Sequence, residues 1–210
     1  MRLRNIPGAD EVVANSSFCI QNPNEHKGHW SSVFENDNPI HIEIGMGKGR
    51  FLMDLAALNP DINYIGIERY TSVLLRAIQK MEEEELPNLK FIRMDAEDIT
   101  KVFGKGEVDK IYLNFSDPWK KSKQAKRRLT HKNFLDRYKK VLNSGDYIWF
   151  KTDNLKLFEF SLNSFCDEGF KLRNITLDLH NSGFEGNVVT EYEQRFMDLG
   201  QPIYRLEATF

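Results

Sequence analysis

The sequence is poor in cysteine and contains no long apolar run. Only Cys19 and Cys166 occur among 210 residues. They lie far apart, and Cys166 falls on the apolar side of a predicted helix that faces the core, so a disulfide framework is not expected. The N-terminus has no apolar run of signal-peptide length, and no stretch is long enough to cross a bilayer. We therefore expect a cytoplasmic protein with reduced thiols and no membrane partner.

An excess of charge of one sign is also missing. The 29 basic and 31 acidic side chains leave a net charge of −2, so a nucleic-acid partner would have to be bound by a local cluster of cations. His26 and His29 are close in sequence, but no cysteine or acidic cluster completes a ligand set around them. No metal is predicted.

The composition is that of an ordinary globular protein. Hydrophobic residues make up 40% and aromatic residues 12% of the chain, which fits one domain over residues 1–210. Residues 1–38 are rich in polar residues, are interrupted by prolines and show no sustained hydrophobic period, so we expect an irregular N-terminal extension. Residues 39–210 then form the core of the domain.

Within that core, short β-rich runs alternate with segments of helical periodicity. Strands are predicted at 40–44, 63–68, 89–94, 110–115 and 147–151, followed by a closing pair at 172–179 and 203–210. The intervening helices cover residues 70–81, residues 134–142 before Gly145, and residues 154–169. Glu82 to Glu85 are expected at the solvated end of the first of these helices. The pattern predicts an α/β fold with a doubly wound, mostly parallel seven-stranded sheet whose last strand is antiparallel.

A glycine run follows the first of these strands. Gly45, Gly47 and Gly49 stand between strand and helix, where a ligand can approach the backbone closely. Glu68 ends the next strand, about 20 residues on, where an acidic side chain can hold ribose hydroxyls. A dinucleotide fold would require its third glycine one position later, at Arg50. The spacing therefore favours S-adenosylmethionine, with NAD as the alternative.

Acidic residues end four successive predicted strands, and we expect their carboxylates at one edge of the sheet. A single acid of this kind is more often a helix cap or a surface charge. Four together, at the edge where open α/β sheets bind ligands, indicate a binding site. The four residues are Glu43, Glu68, Asp95 and Asp117.

The fourth of these strands leads directly into Asp117-Pro118-Trp119 and then into a basic run. Lys120, Lys121, Lys123, Lys126, Arg127 and Arg128 contain no acid among them, which favours phosphate binding over a merely solvated helical face. Trp119 either stacks on a base or fills the core above the strand. Together these residues predict a site for an aromatic base on a polyanion.

These motifs resemble those of the bacterial tRNA (guanine-N7-)-methyltransferases, enzymes that use S-adenosylmethionine to modify the variable-loop guanine of tRNA. The resemblance runs from about residue 40 to residue 210. It is carried by Glu43-Ile44-Gly45-Met46-Gly47-Lys48-Gly49, Ile67-Glu68, Asp95-Ala96, Phe115-Ser116-Asp117-Pro118-Trp119, Lys126-Arg127-Arg128-Leu129 and Thr190-Glu191-Tyr192-Glu193-Gln194-Arg195-Phe196.

The resemblance implies a Rossmann-like class I methyltransferase fold and assigns roles to residues. Asp117 would be catalytic. The cofactor would contact Glu43, Gly45, Gly47, Gly49, Glu68, Asp95, Ala96 and Asp117. The RNA substrate would contact Lys121, Lys123, Lys126, Arg127, Arg128, Asp153, Thr190, Glu191, Tyr192 and Glu193. Lys120 and Gln124 stand where the family usually has proline and histidine, which we interpret as a change in RNA contacts. The implied partner is tRNA, with no obligate protein partner and a monomeric or homodimeric state.

The chemistry fits these residue types. Guanine N7 has a free lone pair, so its methylation requires positioning and a nearby carboxylate rather than a strong base. Glu193 or Asp153 could accept hydrogen bonds from guanine N1–H and N2–H₂, which adenine lacks. Three alternatives stay open: an adenine or cytosine amino-methyltransferase, a non-catalytic RNA-binding protein, and an NAD-dependent oxidoreductase.

Overall fold

A computed structural model describes residues 6–210, which form a mixed sheet of eight strands with helices on both faces. The strands are β1 (Cys19–Ile20), β2 (Ile40–Ile44), β3 (Asn63–Glu68), β4 (Leu89–Arg93), β5 (Val108–Asn114), β6 (Leu142–Thr152), β7 (Lys171–Thr176) and β8 (Tyr204–Thr209). The helices are α1 (Ala9–Asn15), α2 (Ser31–Phe34), α3 (Arg50–Leu58), α4 (Thr71–Glu84), α5 (Ile99–Val102), α6 (Lys132–Val141), α7 (Leu155–Asp167) and α8 (Glu191–Asp198). Short 3-10 helices cover Pro23–His26, Ala96–Asp98 and Ser122–Arg127.

The strand order is β1-β4-β3-β2-β5-β6-β8-β7. All neighbouring strands are parallel except β8, which is antiparallel to both β6 and β7. The predicted α/β class and the antiparallel last strand are therefore confirmed. The chain winds in one direction from β2 to β3 and β4 and in the other from β5 to β6, so the order reverses between β2 and β5. Doubly wound sheets bind their ligands at this point, beyond the carboxyl ends of the strands.

Side chains of the central strands point alternately to the two faces of the sheet and form two separate buried clusters. Ile111 and Leu113 of β5 pack with α5, α6 and α7. Tyr112, between them in sequence, packs with α3 and α4. Because successive side chains of a strand point to opposite faces, the sheet is covered on both sides. This packing holds the carboxyl ends of the strands in a rigid frame.

The N-terminal segment is more ordered than the sequence predicts. It contributes α1, α2 and β1, and β1 pairs in parallel with β4 and makes the sheet eight-stranded rather than seven-stranded. Trp30 is fully buried, and its indole N–H donates to the Val102 carbonyl at 2.9 Å. A strand of two residues and helices of four and seven residues are too short to produce a periodic signal. Residues 1–5 of the predicted extension lie outside the described residues.

Two local predictions are wrong. Gly145 does not end a helix, because β6 begins at Leu142 directly after α6 and Gly145 lies inside this strand with φ 99°. Cys166 is exposed rather than core-facing, while Cys19 is buried. The buried side of α7 is formed by Leu157, Phe158, Ser161 and Phe165, so Cys166 lies one residue beyond that stripe. Asn154 caps α7, since its Oδ1 accepts from the Leu157 N–H at 2.9 Å.

None of the helices formed by residues 6–210 combines the length and apolar character needed to span a bilayer.

Candidate active site

Two cavities meet at the carboxyl edge of the sheet. The larger, of about 490 Å³, is lined by Glu68, Asp95 and Asp117 among others, and we call it the acidic cavity. The smaller, of about 190 Å³, is lined by Glu43 and by residues 45–50, and we call it the glycine-loop cavity. Gly45 and Phe115 line both. All four predicted acids thus lie around one continuous site.

Glu43, at the end of β2, is buried with an incomplete set of partners. Its side-chain Oε1 accepts from the Asn114 amide at 2.7 Å. Its Oε2 is buried and has no hydrogen-bond partner among residues 6–210. Burial raises the pKa of Glu43 to about 8, although the neighbouring Asn114 amide and the Lys151 ammonium act in the opposite direction. A buried carboxylate oxygen without a partner is costly, and it fits a ligand that brings an N–H donor or a cation into the glycine-loop cavity.

The glycine loop has a backbone that favours glycine. Gly45 and Gly47 have φ of 78° and 60°, in the left-handed region that residues with a side chain rarely adopt. The Gly45 N–H donates to the Ile67 carbonyl at 2.8 Å, and the Gly47 N–H donates to Glu68 Oε2 at 3.2 Å. Gly49 is buried against α4, where an added Cβ would lie 3.2 Å from the Cβ of Ala77. The loop is thereby tied to β3 at the edge of the cavity.

Glu68 ends β3 and is held by backbone donors. Its Oε1 accepts from the N–H groups of Arg69 and Tyr70 at 2.9 and 3.0 Å. Burial raises the pKa of Glu68, and its backbone N–H partners, Gly47 included, oppose that shift. Three backbone donors thus fix a carboxylate on the wall of the acidic cavity, in the position predicted for a ribose-binding acid.

Asp95 follows β4 and is more exposed. Its Oδ1 caps the 3-10 helix Ala96–Asp98 by accepting from the Glu97 N–H at 3.0 Å, and its Oδ2 lies 3.6 Å from Arg69 Nη1. Ala96 is buried, and both residues line the acidic cavity. The helix cap and the cavity wall are therefore compatible roles for the same side chain.

The loop that carries Asp117 has an unusual backbone. Phe115 and Trp119 have φ of 49° and 42°, which is uncommon for residues other than glycine and concentrates at functional sites. The Phe115 N–H donates to the Lys151 carbonyl at 2.9 Å, which fixes the start of the loop on β6. Asp117 is exposed and lines the acidic cavity. The loop therefore presents a solvent-accessible carboxylate beside the predicted cofactor residues.

Trp119 is half-buried and lines the acidic cavity rather than filling the core. The Arg127 guanidinium carbon lies 4.9 Å from the centroid of its ring. Lys121, Lys123, Lys126 and Arg127 are exposed on and beside the 3-10 helix Ser122–Arg127. An indole and a set of cations are thus available at the rim of the cavity.

Arg128 differs from the other cations of this run. It is half-buried, and it donates to the backbone carbonyls of Pro118 and Trp119 at 3.0 and 3.1 Å. The sequence groups it with residues that are expected to contact RNA, whereas its side chain is engaged with the loop that carries Asp117.

The segment 190–193 begins α8, and its members separate into two groups. Thr190 caps the helix, because its Oγ1 accepts from the Glu193 N–H at 2.9 Å. Glu191 and Tyr192 are exposed and line the glycine-loop cavity. The Lys80 ammonium lies 2.5 Å from Glu191, and the Tyr192 ring centroid lies 5.0 Å from that of Phe115. These two side chains are accessible to a substrate.

Glu193 is not accessible, which corrects its predicted pairing with guanine. Its side chain is 0% exposed, and its Oε2 lies 2.5 Å from the Lys151 ammonium. Its Oε1 accepts from the Asn187 amide at 2.8 Å. With both oxygens engaged and no solvent access, Glu193 organises the start of α8 from inside the protein.

Asp153, on the loop after β6, is only half-buried, and burial raises its pKa. Unlike Glu193, it is not sealed from solvent.

Two residues of the site, Asn114 and Lys151, were missed from the sequence, and Arg128 was predicted with a different role. Asn114 holds Glu43, Lys151 holds Glu193, and Arg128 holds the Asp117 loop. A sequence signal exists for Lys151 alone, as a charge at the end of an otherwise apolar strand. The other two contacts depend on which strands become neighbours and on how a loop folds back.

The burial of Glu43 leads to a prediction for the pH dependence of stability. Its pKa is about 8 in the folded protein and 4.5 ordinarily, so between these values the folded state binds more protons than the unfolded state. Stability is then lost as the pH rises from 5 to 8. Glu43→Gln removes the titrating group. We expect thermal denaturation to show the ligand-free variant gaining stability relative to wild type as the pH increases, while its affinity for S-adenosylmethionine falls.

The control for this experiment is Glu159→Gln, which changes an exposed glutamate of α7. Its difference from wild type should be the same at pH 5 and pH 9. A Glu43→Gln variant that loses stability relative to wild type at alkaline pH would contradict the assignment.

Comparisons with known proteins agree with this geometry. Residues 37–206 match the model of a family described as putative methyltransferase. The chain is 57% identical to a tRNA (guanine-N(7)-)-methyltransferase of Lachnoclostridium phytofermentans, over 99% of this chain and 98% of that protein. It is 56% identical to the protein of the same name from Bacillus cytotoxicus, over 100% of this chain and 97% of that protein. Among solved structures, the 16S rRNA methyltransferase KamB superposes with a TM-score of 0.64 at 15% identity, over 87% of this chain and 91% of KamB; this similarity concerns the fold alone.

Proposed function

Because this chain belongs to the family of tRNA (guanine-N(7)-)-methyltransferases, we propose that it transfers a methyl group from S-adenosylmethionine to N7 of a guanine in the variable loop of tRNA. The observation that carries the proposal is the set of four carboxylates around one site at the carboxyl edge of the sheet, beside a glycine loop and an exposed basic segment.

The residues around the two cavities fit the cofactor. When bound, S-adenosylmethionine supplies an electrophilic methyl group on a sulfonium centre. The free Oε2 of Glu43 is suited to the α-ammonium group of the cofactor, since a buried carboxylate oxygen that lacks a partner gains most from a cationic donor. Glu68 is suited to the ribose hydroxyls, and Asp95 to the amino group of adenine. These assignments distribute the polar ends of one ligand over both cavities.

The reaction requires little from the protein in proton transfer. Guanine N7 carries a free lone pair at neutral pH, so no side chain has to remove a proton before the transfer. The methylated purine is cationic, and the Asp117 carboxylate at the rim of the acidic cavity can stabilise the charge that develops on the base. The hydrogen bonds at both ends of the loop around Asp117 support the positioning on which such a reaction depends.

Guanine presents the donors N1–H and N2–H₂, which adenine lacks, so a protein recognises guanine by placing hydrogen-bond acceptors opposite them. With Glu193 buried and paired, we assign this role to Asp153, which is half-buried on the loop after β6. Trp119 supplies a ring for stacking. A carboxylate that accepts from the guanine edge gives selectivity of about 1–3 kcal/mol over other bases.

The proposal is tested by the identity of the product. The purified protein is incubated with labelled S-adenosylmethionine and an unmodified tRNA transcript, and the nucleosides are separated. We expect the label in N7-methylguanosine, which is cationic and labile to alkali. Label in a methylated adenosine or cytidine would support the amino-methyltransferase alternative and contradict the proposal.

The exposed cations give a prediction for the salt dependence of binding. Replacing Lys123, Lys126 and Arg127 with glutamine should weaken tRNA binding, because each cation that binds a phosphate releases counterions. The slope of log K against log[salt] should become shallower by about 0.7–0.9 for each phosphate that is no longer neutralised. Filter binding over a range of salt concentrations measures this slope.

A matched control removes three exposed cations elsewhere: Lys140, Lys171 and Arg173 lie on α6 and β7, toward the opposite edge of the sheet. Replacing them with glutamine should leave the slope as in wild type. Equal slopes for wild type and the 123/126/127 variant would rule out this surface as the site of phosphate binding.

A further inference from the structure

We propose that Arg128 is a positioning residue for the loop that carries Asp117, and not one of the phosphate-binding cations of the basic segment. The inference rests on the proposed function for its catalytic consequence. We call the loop from Phe115 to Trp119 the acidic loop. The effect of Arg128 on this loop can be measured without any reaction.

The donors of Arg128 are directed into the protein. Its Nε donates to the Pro118 carbonyl at 3.0 Å, and one terminal nitrogen donates to the Trp119 carbonyl at 3.1 Å. On the other side, its guanidinium carbon lies 4.4 Å from the ring centroid of Phe160 on α7. The neighbouring Lys126 and Arg127 are exposed, whereas Arg128 is half-buried. A guanidinium held between two carbonyls and an aromatic ring has a defined position, unlike a surface cation that reaches for phosphate.

The acidic loop needs anchors because its backbone is strained at both ends. Phe115 and Trp119 both have positive φ, a strained conformation for residues with a side chain that persists only where the surrounding structure holds it. The Phe115 N–H to Lys151 carbonyl bond anchors the first end at 2.9 Å. The two bonds from Arg128 anchor the second end. Asp117 lies between these anchors, so the position of its carboxylate depends on both.

Lysine cannot replace arginine in this role. The planar guanidinium presents two N–H groups in a fixed fork and stacks on a ring at the same time, whereas an ammonium is a compact, strongly hydrated charge. Arg128→Lys therefore keeps the charge that phosphate binding needs and removes the fork that the acidic loop needs. The substitution separates the two roles of the residue.

The first experiment measures single-turnover methyl transfer at saturating tRNA and S-adenosylmethionine, and the salt slope of tRNA binding. A displacement of about 1 Å at a reacting group costs up to about 100-fold in rate. We therefore expect Arg128→Lys to slow transfer by about 10- to 100-fold with an unchanged salt slope. Arg128→Gln should also leave the slope unchanged, whereas Lys126→Gln should make it shallower. Arg173→Lys, an exposed control on β7, should match wild type in both measurements.

Two results would overturn the proposal. One is transfer by Arg128→Lys within twofold of wild type. The other is a salt slope for Arg128→Gln that becomes as shallow as that of Lys126→Gln, which would assign Arg128 to phosphate.

A second experiment is independent of the reaction and distinguishes failure of this inference from failure of the proposed function. Acrylamide quenching of tryptophan fluorescence reports the accessibility of Trp119, after subtraction of the signal of a Trp119→Phe variant. We expect quenching of Trp119 to increase in Arg128→Lys, and also in Phe160→Leu, which removes the ring behind the guanidinium without changing any charge. Unchanged quenching in both variants would overturn the inference even if the protein methylates tRNA.

Discussion

Asp117→Asn is expected to lower the single-turnover rate of methyl transfer by about 10²- to 10³-fold, the range found when a preorganised electrostatic group is removed from an active site. The substitution keeps the size and planar shape of the side chain, replaces one acceptor oxygen with an NH₂ donor and removes the negative charge. Asp117 is exposed at the rim of the acidic cavity, so the substitution should not destabilise the fold. Binding of tRNA should change little, because the exposed cations that we assign to phosphate binding are intact.

The matched control is Asp136→Asn, an aspartate of α6 whose side chain is 45% exposed and lies 3.2 Å from the Lys132 ammonium. Rates for this variant should be within twofold of wild type. Quenched-flow measurements on both variants, with tRNA affinity measured separately, test the assignment. A rate for Asp117→Asn close to that of wild type would remove Asp117 from the catalytic machinery.

Lys151→Met is expected to lower the free energy of unfolding by about 3–5 kcal/mol, which is typical when one member of a buried ion pair is removed. The Lys151 side chain is 4% exposed and that of Glu193 is 0% exposed. The ammonium also donates to the Val188 carbonyl at 2.9 Å and to the Asn187 side chain at 3.1 Å. Without Lys151, the Glu193 carboxylate is left buried and only partly satisfied.

The double variant Lys151→Met/Glu193→Gln should recover much of this stability, because replacing both charges removes the uncompensated one. Urea denaturation of the wild type, of the single variants Lys151→Met and Glu193→Gln, and of the double variant gives the four free energies. Lys101→Met, which breaks an exposed pair with Asp98, should cost no more than about 1 kcal/mol. A double variant as unstable as the sum of the two single variants would show that the pair is not coupled.

The positions of the four acids of the site could be predicted from the sequence, whereas the buried pair of Lys151 and Glu193 could not. The core strands from β2 to β6 follow from their apolar runs, since hydrophobic patterning and the strand-to-helix alternation are local properties. Because parallel strands end at one edge, acids that follow four successive strands must come together there. The sequence pattern and the rules of the fold therefore suffice to bring Glu43, Glu68, Asp95 and Asp117 to one site.

The remaining features depend on contacts that no local pattern encodes. Glu193 reads as one more acid in a polar helix, and only its contact with Lys151, 42 residues earlier in the chain, makes it a buried structural group. Arg128 reads as part of a basic run until the acidic loop folds back onto it. β1 has two residues, and its pairing with β4 results from tertiary packing rather than from intrinsic preference.

The most direct test of the proposed activity is the position of the methyl group in tRNA. An unmodified transcript is methylated by the wild-type protein with labelled S-adenosylmethionine, cleaved selectively at N7-methylguanosine, and sized to single-nucleotide resolution. We predict one cleavage, at a guanine of the variable loop, and none above background for Asp117→Asn at the same reaction time. Cleavage at guanines elsewhere in the tRNA, or label in a different nucleoside, would contradict the proposed substrate.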